Sequence, residues 1–153
     1  MHEVFISYTK VDEQLAQFVH DHLLAQKIPT FLASLSIEGG QAWSPAVWNA
    51  LKLAKWVIFM ASREACRSAF VQQEIGAAIV QQKNLIPIVW DQPPSALPGW
   101  TSGFQAIDLS GKTMGDLQLE VTQIASRIKS KRGSGLAILG FLALGIALAE
   151  SNK

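Results

Sequence analysis

The feature that most constrains this chain is an alternation. Short runs of apolar, β-branched and aromatic residues are separated by longer stretches with apolar residues every three or four positions. The runs VFISY (residues 4–8), WVIFM (56–60) and LIPIVW (85–90) carry no charge. Strand-sized segments apolar on both faces belong inside a parallel sheet covered by helices. Between them, Leu15, Phe18, Val19, His22 and Leu23 fall on one helix face, as do Val47, Trp48 and Leu51. The same spacing recurs at Phe70, Val71, Ile75, Ala78 and Ile79, and again at Leu117, Val121, Ile124 and Ile128. Strands separated by helices call for a doubly wound sheet with helices on both faces.

The expected strands are residues 4–8, 28–32, 56–60, 85–90 and, weakly, 105–109. The expected helices run over about 12–26, 45–54, 69–82 and 113–129. Ser44-Pro45 reads as a cap with proline at the first helical position, and Ser68 as the cap of the third helix. Residues 33–43, 61–67 and 91–103 read as loops or connections, and Gly39-Gly40 permits turns denied to other residues. Pro87 suggests a place near a sheet edge, because proline donates no ladder bond. The fold class is α/β, a flavodoxin-like, doubly wound, five-stranded parallel sheet. Ligands of such sheets sit outside the carboxyl ends of the strands, at the topological switch point. The loop after Tyr8 and residues 33–43 and 62–68 therefore form the expected functional edge.

Composition narrows the class. At 153 residues, 49% hydrophobic and net charge +1, the chain has enough material for one packed domain. Disorder and a wholly basic nucleic-acid binder are both excluded, and no nucleic-acid partner is expected. The charge is unevenly spread. Residues 1–126 hold 8 basic and 11 acidic side chains, a basic collar follows at Arg127, Lys129, Lys131 and Arg132, and residues 133–149 carry no charge. The division expected is residues 1–130 as a domain and 131–153 as collar plus apolar helix. That helix, LAILGFLALGIALA at 136–149, would span about 21–26 Å, short of a ~30 Å hydrocarbon core. A basic collar before it still fits a membrane-directed tail that anchors a cytoplasmic domain to the inner membrane. A helix packed on the domain and an oligomer contact are the alternatives. Cys66 is the only cysteine, so neither an intrachain disulfide nor a cysteine zinc site is expected, and a reducing cytoplasm is the simplest compartment. The first residues read as a strand and not as a secretory signal.

The motifs GxxxxGK[ST], GxGxxG and HExxH do not occur. His2, His20 and His22 lie away from the expected functional edge, and Cys66 reads as a small buried residue. One carboxylate stands out. Glu74 follows Phe70 by four residues, so the two share a face of the helix that Ser68 caps. Glu74 is either a site carboxylate or a solvated helix glutamate. Trp43, between Gly-Gly and the Ser-Pro cap, either stacks on a flat ligand or plugs its loop.

Six segments, in order, resemble a bacterial Toll/interleukin-1 receptor (TIR) domain over roughly residues 1–130. They are VFISYTKVD (4–12), SIEGGQAW (36–43), ALKLAKWVIFMAS (50–62), SAFVQQEIGAAI (68–79), LIPIVWD (85–91) and LPGWTSGFQAIDLSG (97–111). Many bacterial and plant TIR domains cleave the bond between nicotinamide and ribose of NAD+. The family pattern of serine, any residue, aromatic, then glutamate four positions after the aromatic falls on Ser68, Phe70 and Glu74. The resemblance implies that Glu74 is catalytic and that Ser7 and Tyr8 contact the nucleotide. It maps the family's mobile gating loop to residues 36–43, and makes Phe70, Tyr8 and Trp43 stacking surfaces. NAD+ would be the substrate, with no separate cofactor and no metal. Position 70 departs from the tryptophan frequent in the family, and residues 38–40 carry no basic side chain for phosphate.

One carboxylate is chemically sufficient for that reaction. Ordinary glycosidases pair an acid that protonates the leaving oxygen with a base or nucleophile. A pyridinium leaves as neutral nicotinamide and needs no proton, so what remains is to hold the ribose and face the developing cation with an anion. The resemblance further implies assembly through TIR–TIR contacts. With no sensor or effector segment beside it, the chain is similar to the stand-alone TIR components of Thoeris anti-phage systems, which make a nucleotide signal for a separate effector protein. Plain NAD+ depletion, a non-enzymatic interaction module and an effector acting in a host cell are the other readings.

Overall fold

A computed structural model describes residues 2–34, 45–99 and 103–144; the side chains at positions 34, 70, 71, 74, 79, 80 and 133–144 fall outside what it describes. The chain begins with β1 (Val4–Tyr8), a 3-10 turn (Lys10–Asp12), α1 (Glu13–Ala25) and β2 (Thr30–Ser34). It continues through α2 (Pro45–Leu53), β3 (Trp56–Met60), α3 (Arg63–Arg67), α4 (Ala69–Val80) and β4 (Asn84–Val89), and closes with β5 (Ile107–Asp108) and α5 (Met114–Leu144). The sheet order is β2-β1-β3-β4-β5 and every pairing is parallel. This is the expected doubly wound topology, with its switch point between β1 and β3.

Strand alternation builds two core layers. Val4, Ile6, Tyr8, Trp56, Ile58, Met60, Ile86 and Ile88 face α1 and α5, meeting Val19, Leu23, Val121, Ile124 and Ile128. Phe5, Val57, Phe59, Leu85 and Val89 face the other way, onto Leu51, Ala65, Ile75 and Ala78. Each of the fully buried large side chains contributes about 1.5–3 kcal/mol. Thr113 and Asp116 form a reciprocal capping pair that starts α5: Thr113 N donates to Asp116 Oδ2 at 2.9 Å and Asp116 N donates to Thr113 Oγ1 at 3.2 Å.

Several expectations need correction. The second strand lies two residues later than expected, at Thr30–Ser34. Residues 61–67 are not a plain connection, because five of them form α3, capped by Ser62. Trp48 was expected in the buried stripe of α2 but is 49% exposed. Ala50, Leu51 and Ala54 set the buried direction, and position 48 lies about 100° around the helix from it. β4 lies inside the sheet order, not at its margin. Pro87 is nevertheless accommodated for the reason expected, since β5 pairs only with Ile88 and Val89, leaving Pro87 without a ladder partner on that side.

The tail is the largest correction. Residues 130–136 do not separate two helices; α5 runs unbroken from Met114 to Leu144. Glycine and serine lower helix propensity by at most ~1 kcal/mol each, without the steric break that proline imposes. Among the described residues no helix is long and apolar enough to cross a membrane. Within α5 the uncharged part is residues 133–144, about 18 Å of helix against a ~30 Å hydrocarbon core. The collar is also engaged with the domain. Arg132 pairs with Glu3 through both carboxylate oxygens, Lys131 Nζ lies 2.7 Å from Asn84 Oδ1 and 5.3 Å above the Trp56 ring, and Lys129 Nζ reaches Gln26 at 3.0 Å. Among the described residues these findings overturn a membrane-spanning tail and leave the inner-membrane anchor without support. Residues 145–149 of the expected apolar helix lie outside the described residues.

Candidate active site

Polar burial is concentrated at the carboxyl edge of the sheet. Among the described residues the buried polar side chains are Ser7, Thr9, Asp12, Thr30, Ser62 and Gln92, and all but Thr30 lie where β1, β3 and β4 end. Interiors hide polar groups only at a cost, so such a concentration marks an edge built for something other than packing.

Ser7 is fully buried, and its Oγ has no hydrogen-bond partner among the described residues. By alternation it shares the face of Phe5, under the layer that contains α4. Tyr8 points the opposite way, 5% exposed and packed in the core beneath α1 and α5. The two nucleotide contacts that the resemblance implies therefore leave β1 towards different layers. Ser68 is half-buried and links two helices: its N–H donates to Ala65 O at 3.1 Å, and its carbonyl accepts the first α4 bond from Gln72 N at 3.2 Å. Positions 70 and 74 belong to α4, with buried Ile75 beside and buried Ala78 one turn beyond Glu74. The side chains of Phe70 and Glu74, and all of Trp43 with the expected gating loop 36–43, lie outside the described residues.

The structure brings in residues the sequence did not single out. Asp12, only 1% exposed, accepts hydrogen bonds on Oδ2 from Ser62 Oγ at 2.5 Å and from Thr9 Oγ1 at 3.1 Å. Its Oδ1 has no partner among the described residues. Burial pushes the Asp12 carboxyl above its usual range, the bonds from Ser62 and Thr9 oppose this, and the charges of Asp91 and Glu64 add to the rise. Asp91 receives the Arg63 N–H at 3.1 and 3.3 Å. Gln92 Nε2 donates to Ala61 O at 2.9 Å and approaches Cys66 Sγ at 3.4 Å. Burial likewise pushes the Cys66 thiol up, so it is poorly suited to act as a thiolate nucleophile. The sequence placed Thr9 and Ser62 on the expected functional edge, but the one hint that these residues pair was the three-residue spacing of Thr9 and Asp12, which is common wherever a helix starts. The partner at Ser62 is fifty residues away, beyond any local pattern.

Among the described residues no group of three or more histidine, cysteine or acidic side chains is arranged to hold a metal. An open cavity lined by Pro45, Trp48, Asn49, Lys52 and Gln81 runs between α2 and the end of α4, apart from this edge.

A family profile described as TIR domain matches residues 4–124. The chain is 26% identical over 98 residues to a probable 2′ cyclic ADP-D-ribose synthase, BdTIR, of Brachypodium distachyon. That stretch is 63% of this chain and 44% of the relative, so the match spans less than half of the plant protein. The TIR domains of the activated Roq1 resistosome, which directly recognises the pathogen effector XopQ, superpose with a TM-score of 0.66 at 15% identity, over 84% of this chain and 99% of that one. The TIR domain of the Toll-related receptor TRR-2 from Hydra magnipapillata gives 0.65 at 16%, over 84% and 99%. Rubredoxin oxygen:oxidoreductase from Desulfovibrio gigas gives 0.58 at 16%, over 86% of this chain and 37% of that one. Likeness at these identities is likeness of fold, and a fold shared by a receptor domain and an oxidoreductase carries no activity by itself.

Proposed function

Because this chain belongs to the TIR-domain family, we propose that it cleaves the nicotinamide–ribose bond of NAD+, with Glu74 as the catalytic carboxylate. The observation that carries the reading is the start of α4. Immediately after Ser68 the chain enters a helix in which positions 70 and 74 share one face, on the sheet layer that Ser7 also faces. Support also comes from the name of the plant relative, a probable 2′ cyclic ADP-D-ribose synthase.

The chemistry asks little of the protein beyond binding and one anion. Nicotinamide leaves neutral, and a carboxylate at the ribose steadies the oxocarbenium-like charge while accepting hydrogen bonds from the ribose hydroxyls. The Ser7 hydroxyl supplies a buried donor and acceptor at the end of β1. Phe70 and Trp43 are the aromatic residues offered for stacking, whereas Tyr8 is packed in the layer of α1 and α5. If a ribose hydroxyl captures the cation, the product is a cyclic ADP-ribose; if water does, it is ADP-ribose. The finer reading is a cyclic or related ADP-ribose signal in anti-phage defence, made by copies assembled through TIR–TIR contacts and read by a separate effector protein. A cytoplasmic place of action agrees with the free thiol of Cys66.

The test is NAD+ turnover with product identification for the wild type and Glu74→Ala, at concentrations that allow assembly. Nicotinamide release by the wild type and its loss in the variant is the expected result. Equal turnover in the two removes the enzymatic reading and leaves an interaction module.

A further inference from the structure

Asp12 occupies the N-cap position of α1, yet its side chain makes no cap bond to that helix. The ordinary reason for an aspartate at a helix start is therefore missing. Its carboxylate turns inward instead, across the switch point, to Ser62 just beyond the end of β3. The Ser62 hydroxyl donates to Asp12 and at the same time accepts the Ala65 N–H at 3.1 Å, so one hydroxyl joins the start of α1, just after β1, to the first turn of α3.

α3 has five residues and cannot hold its own shape in water. Its fixings are external. Ser62 and Asp91 take its first N–H groups, and Gln92 bonds Ala61 O just before it. Gln72 Nε2 donates to Cys66 O at 2.9 Å, tying α3 to the first turn of α4. The last residue of α3 adjoins Ser68, whose carbonyl starts α4. A shift of α3 is therefore passed directly to α4.

We propose that Asp12 is a positioning residue for the reaction: through Ser62 it fixes α3, and with it the start of α4 that carries Glu74, against the end of β1 that carries Ser7. This rests on the reading of Glu74 given above. The burial that raises the Asp12 carboxyl makes its charge a burden on stability, which a role in packing alone would not require. The strap works by hydrogen-bond acceptance, so an amide in place of the carboxylate preserves it.

Four variants and two readouts test this. Asp12→Ala and Ser62→Ala each remove the strap; both lower kcat about ten- to hundredfold, the scale of a misplaced catalytic group, with KM for NAD+ within about threefold. The double variant is no worse than the poorer single one, because both changes break one link. Asp12→Asn keeps an acceptor for Ser62 and retains kcat within about threefold. Independently of turnover, hydrogen exchange at the Ala65, Cys66 and Ser68 amides speeds up in Asp12→Ala and stays near wild type in Asp12→Asn. Unchanged exchange in Asp12→Ala overturns the proposal whatever the activity. Faster exchange with unchanged kcat also overturns it, as does an Asp12→Asn enzyme as slow as Asp12→Ala, which would make the charge itself catalytic. A chain that releases no nicotinamide, or does so equally with Glu74→Ala, defeats the catalytic reading and with it the role in positioning, while the exchange data still tell whether Asp12 holds α3.

Discussion

At the amino edge of the sheet, Glu3, Trp56 and Asn84 are closed against Arg132 and Lys131. At the carboxyl edge, Ser7 and Asp12 each keep a buried oxygen with no partner among the described residues. The same sheet thus ends in two different ways. The amino edge joins its loops by matched pairs: Lys83 Nζ also caps the end of α2 at Lys52 O and Ala54 O, and Glu3 O receives the Lys55 and Trp56 N–H groups. The carboxyl edge has its own bonds, from Ser62 to Asp12 and from Arg63 to Asp91, but keeps two buried oxygens without a partner among the described residues. A buried orphan group costs about 1–3 kcal/mol, so the asymmetry separates an edge closed by matched pairs from the edge at which the proposed reaction would bind its substrate.

Substitutions at the two edges should therefore part company, and the largest effect belongs to the carboxyl side. Glu74→Ala is expected to lower nicotinamide release by about a hundredfold or more, the scale of losing a key electrostatic group. Thermal melting should change little, and a large drop in melting temperature with turnover intact would reverse the roles of the edges. Next comes Ser7→Ala, which should raise KM for NAD+ about three- to tenfold by removing one ligand hydrogen bond while leaving the fold as stable or up to about 1 kcal/mol more stable. Steady-state kinetics and denaturant unfolding of the same preparation check both halves.

A subtler difference lies in pH. The folded state holds the Asp12 proton more tightly than the unfolded chain does, because burial raises its carboxyl. The stabilisation this gives is fully present below the ordinary carboxylate range and is lost as pH rises through the raised folded value. Melting curves of wild type and Asp12→Asn should thus diverge across that window, the wild type losing ground as pH rises; parallel curves would mean that Asp12 is not perturbed. The smallest effect is expected at the amino edge. Arg132→Ala removes a partly exposed ion pair, about 1 kcal/mol and weaker still in salt, with turnover unchanged.

Much of the fold was legible from pattern. The charge-free runs at 4–8 and 56–60 became β1 and β3 with the boundaries expected, because a strand buried on both faces leaves little choice of residue. Leu117, Val121, Ile124 and Ile128 are all buried at the expected helical spacing. Legibility failed where neighbours in space decide. The exposure of Trp48 follows from the direction in which α2 meets the sheet, and the collar took meaning only once Arg132 met Glu3, 129 residues away. Of the expected site residues, Ser7 was singled out by resemblance and Ser68 by its place before an apolar helix, and the structure places Ser7 buried at the end of β1 and Ser68 between α3 and α4. Asp12 looked like any acid at a helix start.

Local chemistry therefore determined by itself most of the segments that become strands and helices, that they alternate, and at which edge a ligand is to be expected. Periodicity and the switch-point rule act within a few residues or through topology alone. Only the tertiary structure decided which polar groups are buried, which are paired, and where the charged collar is spent. Those outcomes depend on distances between residues up to more than a hundred positions apart in the chain, such as Asp12 to Ser62 and Glu3 to Arg132. No local pattern encodes such a distance, and at the carboxyl edge it is what ties a buried aspartate to the cap of α3.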